Sequence, residues 1–205
     1  MGYWGYFVVG RAERSLVEPA APADAEGITL RASAPGGWQV WEYPSRDGDV
    51  GSMNALAART GAPALFGYVM DSASVVVEAA GPESGAWTAC LGRAAMAARL
   101  GIRESDEDLG DDEHDDEHDD EHDDEHDDAG EEASEDEADR PVLEDYFLEP
   151  RDAAERAVAW AAEAGHDVPV EPLLDVLRAE PDPAADEPAE NLFFRLLDRL
   201  GVVPL

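Results

Sequence analysis

Apolar residues recur with a period near two through most of the first hundred positions and near 3.6 through the last sixty, so the chain changes rhythm part-way along. Tyr3–Arg11 is an aromatic and β-branched run that predicts a strand. Ile28–Ala32 and Trp38–Tyr43 predict two more, joined by the turn signal Ser33-Ala34-Pro35-Gly36-Gly37. In the second of these, Trp38 and Val40 face one side while Gln39, Trp41 and Tyr43 face the other. Asp49 or Ser52 is placed to cap a helix through Met53, Leu56, Ala57 and Arg59, stopped by Gly61. Ala64–Met70 and Ser74–Ala80 predict a hairpin about Asp71-Ser72. Ala86–Leu91 reads as a further strand, and Arg93–Leu100 as a short helix ended by Gly101. At least four of these six strands are expected to join one largely antiparallel sheet, with the helices on one face.

Beyond residue 140 the pattern is helical. Val142–Leu148 reads as a short apolar turn, and Pro150 sits where the first turn of a helix tolerates it. Residues 151–164 bring Ala154, Ala157, Val158, Trp160 and Ala161 to one side, with Gly165 past the end. Leu173, Leu174 and Leu177 mark a second helix. Leu192, Phe193, Leu196, Leu197 and Leu200 mark a third, followed by Gly201. Helices with one-sided apolar faces need something to cover them, so residues 141–205 are expected to lie on the sheet of residues 1–103 as one folded body. The fold class predicted is α+β: a mainly antiparallel sheet with helices in the N-terminal half, an all-helical C-terminal part, and an insert over 104–140.

That insert dominates the charge. The chain carries a net −35, and residues 104–139 hold 24 acids and no base. So few apolar residues cannot offset the entropy of ordering, so the segment is predicted to be disordered. Within it Glu-His-Asp-Asp repeats four times, placing His114, His118, His122 and His126 four residues apart. On a helix that spacing would stack the imidazoles on one face, and imidazole with carboxylates suits zinc, nickel or copper. Like-charge repulsion at every turn opposes such a helix, so metal binding is expected to be weak, multi-site and pH-dependent. A solvated spacer is the preferred reading of the segment, ahead of metal binding, and an acidic decoy of nucleic acid is the remaining one.

Composition excludes several functions. No basic stripe exists to neutralise phosphates or an anionic membrane, so neither nucleic acid nor membrane is an expected partner. All 14 basic residues are Arg, which removes Schiff-base lysines and a phosphate-loop lysine. One cysteine, Cys90, permits no intrachain disulfide and no four-cysteine zinc site. The first residues lack a basic, signal-like lead and no apolar run approaches the roughly 18 residues of a membrane span, so a soluble cytoplasmic protein is expected.

The strings MGYWGYFVVGR, GGWQVWEYP, TGAPALFGYVMDS, GAWTACLG and VLEDYFLEP resemble an uncharacterised protein group of Streptomyces and related actinobacteria. The resemblance covers both flanking parts and omits the acidic tract. It implies a single cytoplasmic body, and no activity, cofactor or catalytic residue.

Candidate chemistry is sparse. Cys90 would need a base to act as a nucleophile, and His166 is the sole histidine outside the repeat. A buried structural thiol is the simpler reading. Asp71-Ser72 is ordinary turn chemistry. Glu42 and Glu78 would form an acid pair if their strands were neighbours, though outward, solvated carboxylates are the plainer expectation. No catalytic or cofactor-binding residue follows. Tyr3, Trp4, Tyr6, Trp38, Trp41, Tyr43 and Trp87 distribute over both sheet faces, and one face exposes its rings unless helices cover it. Trp4, Trp38, Trp41 and Tyr43 are therefore candidate contacts for a protein partner. Three functions remain: a non-enzymatic interaction module, which is preferred; a divalent-metal-binding or buffering protein acting through the repeats; and an enzyme whose carboxylate site the sequence does not locate.

Overall fold

A computed structural model describes residues 2–11, 28–43, 51–102, 141–182 and 187–204. The strands are β1 (Gly5–Arg11), β2 (Thr29–Ala34), β3 (Trp38–Tyr43), β4 (Ala64–Met70), β5 (Ser74–Gly81) and β6 (Gly85–Leu91). The helices are α1 (Met53–Thr60), α2 (Arg93–Leu100), α3 (Pro150–Ala164), α4 (Val170–Arg178) and α5 (Ala189–Arg199). All six strands pair antiparallel in one sheet, in the order β2-β3-β1-β4-β5-β6. The α+β class and antiparallel sheet predicted from the alternating pattern are therefore present.

The register sorts side chains between the two faces. Phe7, Val9, Trp38, Val40, Leu65, Val69, Val77 and Trp87 share one face, where they meet the buried stripes of α3, α4 and α5. Trp160 of α3 anchors this layer: its indole N–H is shared between the carbonyls of Ala64 and Ala80, at 3.2 and 3.1 Å. The opposite face carries α1, whose Met53, Leu56 and Ala57 cover Val8, Ala64 and Ala80. It also carries α2, whose Met96 joins Cys90, Val76 and Leu143. A glycine is required at one close approach in the first layer, since a Cβ on Gly67 would overlap the Phe193 ring.

Ser52 precedes α1, and its carbonyl accepts from the Leu56 N–H at 3.0 Å, but its side chain makes no capping hydrogen bond. The Glu78 carboxylate, from β5, instead accepts from the Met53 N–H at 3.4 Å. A carboxylate at that end also complements the helix dipole. Asp49, the other predicted cap, lies outside the described residues. Asp71 and Ser72 form the β4–β5 turn with φ of 56° and 54°, the left-handed pair of a tight hairpin turn. The predicted disorder of 104–140 also concerns residues outside those described. On either side of that segment, Ile102 and Leu143 enter the same apolar cluster, and Arg93 at the start of α2 pairs with Glu144. Among the described residues no helix is long and apolar enough to cross a membrane.

Candidate functional site

The aromatic candidates separate by strand parity. On the face shared with α1 and α2, Tyr6 of β1 stacks on Tyr68 of β4 at 4.5 Å, with Phe66 edge-on to Tyr6 at 6.3 Å. Trp4 extends the row at 6.2 Å from Tyr68, and the Arg99 guanidinium lies 4.9 Å from the Trp4 ring centroid. The pairing of β1 with β3 sets Trp41 opposite Val8 and Tyr43 opposite Tyr6, so both rings join the same face. Trp4, Tyr6, Trp41, Tyr43, Phe66 and Tyr68 are all half-buried. Burial raises the Tyr43 phenol above its ordinary value, and Arg59 of α1 partly opposes that shift. The Trp41 indole N–H donates to Gln39 Oε1 at 2.8 Å, which fixes the ring on the surface of β3.

Trp38 does not belong to this set. It is 2 % exposed and stacks obliquely on Trp160 at 5.7 Å, beneath the C-terminal helices. The alternation in β3 fixes Trp38 opposite Trp41, but only the covering helices decide which of the two is core. Phe66 and Tyr68 are the rings not singled out from the sequence. Their signal was their even positions in β4, which the β1–β4 pairing aligns with Val8 and Tyr6.

The acids also separate differently from expectation. Glu42 and Glu78 do not pair, because β1 and β4 lie between their strands and the two side chains point to opposite faces. Glu42 is 6 % exposed, a buried carboxylate rather than a solvated one. It pairs with Arg31 of β2 and accepts from Thr29 Oγ1 at 3.4 Å. The acid that approaches it is Glu190, from the first turn of α5, across a cavity that both line with Tyr3. Burial raises the Tyr3 phenol well above its ordinary range, and the adjacent Glu42 carboxylate reinforces this. Even so, Tyr3 Oη makes no hydrogen bond of ordinary geometry.

Cys90 is buried, and its thiol approaches the Leu91 carbonyl at 3.5 Å. His166 is half-buried and follows the left-handed Gly165 that ends α3. The helices place the thiol with Met96 and Leu143, on the face away from α3. His114, His118, His122 and His126, with the zinc, nickel or copper they were expected to hold, lie outside the described residues. Among the described residues no group of three or more His, Cys, Asp or Glu side chains converges as metal ligands. No protein family, curated protein or solved structure matches this chain.

Proposed function

We propose that this protein is a non-enzymatic interaction module whose aromatic sheet face receives a basic segment of a protein partner. The observation that carries the reading is the half-buried row of Trp4, Tyr68, Tyr6 and Phe66, with Trp41 and Tyr43 beside it on the α1–α2 face. Such rings supply large, rigid contact area at little entropic cost, and their π faces attract guanidinium and ammonium groups. Arg99 already stacks in this way on Trp4. The net charge of −35 supports the choice of a basic partner, because it steers cations and repels acidic competitors at long range.

Selection from a displayed peptide library against the full chain tests this. Enriched sequences should combine Arg or Lys with aromatic or aliphatic residues. Their association rate should fall as salt rises. Trp4→Ala and Trp41→Ala should each weaken binding about tenfold, near the loss of one good aromatic contact. Enrichment of acidic peptides, or affinities indifferent to both substitutions, would sink the reading.

A further inference from the structure

On the opposite sheet face, independent of the aromatic row, a cavity of about 370 Å³ is lined by Tyr3, Phe7, Arg31, Glu42, Glu190 and Phe194. Two polar atoms in this group are shielded from solvent: Glu190 Oε2 has no hydrogen-bond partner among the described residues, and Tyr3 Oη lies beside the Glu42 carboxylate without a hydrogen bond of ordinary geometry. A shielded polar atom left without a partner is costly, and more so when it is charged, so each needs a reason. Glu42 is already paired with Arg31 and Thr29, so the carboxylate oxygen left without a donor in the cavity is Glu190 Oε2.

Local structure holds that carboxylate in place. The Ser72 hydroxyl donates to Glu190 Oε1 at 2.7 Å, and Ser72 Oγ accepts from the Tyr3 N–H at 2.8 Å. The Ser72 carbonyl also accepts from the Ala189 N–H at 2.9 Å. One left-handed turn thus holds both the Glu190 carboxylate and the Tyr3 backbone. The walls are aromatic: Phe194 stands edge-on to Phe7 at 5.1 Å, and Tyr3 stacks on Phe7 at 5.8 Å.

Rings around a single unpaired carboxylate suit a monocation with an apolar stem. A neutral ligand would supply no counter-charge to the Glu190 carboxylate, and an anion would be repelled. A divalent metal lacks a third carboxylate here, and the Arg31 guanidinium already occupies Glu42. We propose that this cavity binds a small alkylammonium ion, its N–H groups donating to Glu190 Oε2 and Tyr3 Oη and its carbon chain lying against Phe7 and Phe194.

The test titrates the full chain with n-butylammonium and, in parallel, with n-butanol, its neutral counterpart, following the ring signals of Phe7 and Phe194 by NMR. Saturable shifts are expected with the ammonium, and binding at least tenfold weaker with the alcohol. Glu190→Gln should weaken ammonium binding at least tenfold, and Tyr3→Phe severalfold, with the circular dichroism spectrum unchanged. Glu171→Gln, on the exposed side of α4, should change nothing. Equal binding of the alcohol, or undiminished ammonium binding by both folded variants, would overturn the assignment. A third ligand, N-acetyl-lysine methylamide, separates the sources of such a group. Weaker binding than butylammonium supports a free amine; tighter binding overturns that in favour of a lysine side chain on a peptide.

Discussion

At Gly67 the sheet and α5 meet so closely that the Phe193 ring fills the space a side chain would take. Gly67→Ala is therefore expected to destabilise the fold by about 1–3 kcal/mol, the usual cost of overpacking, read as a lower denaturation midpoint with unchanged slope. Trp160 is the second residue on which the layers depend. Its single N–H serves two backbone carbonyls in the core, so Trp160→Phe would leave both without that donor. A loss of roughly 1–3 kcal/mol is expected. Were the loss below about 0.5 kcal/mol, the indole N–H would not be holding α3 to β4 and β5. At this scale the sequence was partly legible. The same alternation that grouped Trp38 with Val40 also assigns Glu42 to their side, and that side proved to be the buried one. The meeting of Glu42 with Glu190 and Tyr3 was not legible, because 148 positions separate the two acids and only the strand order brings them together.

Individual elements were easier to read than their assembly. The limits of α2 and β4 follow from local signals: a glycine in left-handed conformation after Leu100, and a two-residue turn after Met70. Which helix covers which face depends instead on long-range contacts that no local period encodes. The contact between α3 and the β5–β6 hairpin is one of these. Glu163 accepts from the backbone N–H groups of Glu83 and Ser84 at 2.9 and 2.8 Å, and from Ser84 Oγ at 2.7 Å. Burial alone would raise this carboxyl, but the hydrogen bonds from Ser84 and Glu83 outweigh it and hold it below its ordinary value. A depressed folded-state value means that the contact stabilises fully above the unfolded carboxyl value, about 4.3, and loses that contribution as pH falls through the folded value. Amide exchange at Glu83 and Ser84, corrected for intrinsic rate, should therefore accelerate severalfold between pH 6 and pH 3. Glu163→Gln should show the faster exchange already at pH 6 and little further change. Equal protection in both proteins at pH 6 would refute the clamp.

For the molecule as a whole, 24 of the acids fall in residues 104–139, which adds self-repulsion without adding to the described core. Replacing those residues by a short Gly-Ser linker is expected to leave the melting temperature unchanged or somewhat raised, most clearly at low salt. A fall of more than about 10 °C would mean that the tract supplies contacts the body requires. The butylammonium site should survive the replacement, since its lining residues all lie elsewhere. Ile102 and Leu143 share one apolar cluster, and Arg93 pairs with Glu144 beside it. For any flexible chain between two points held side by side, added length costs only logarithmically, about 0.6 kcal/mol per doubling. Adding or removing one Glu-His-Asp-Asp unit is therefore expected to leave the melting temperature of the described body nearly unchanged, a shift a thermal scan of such variants would read.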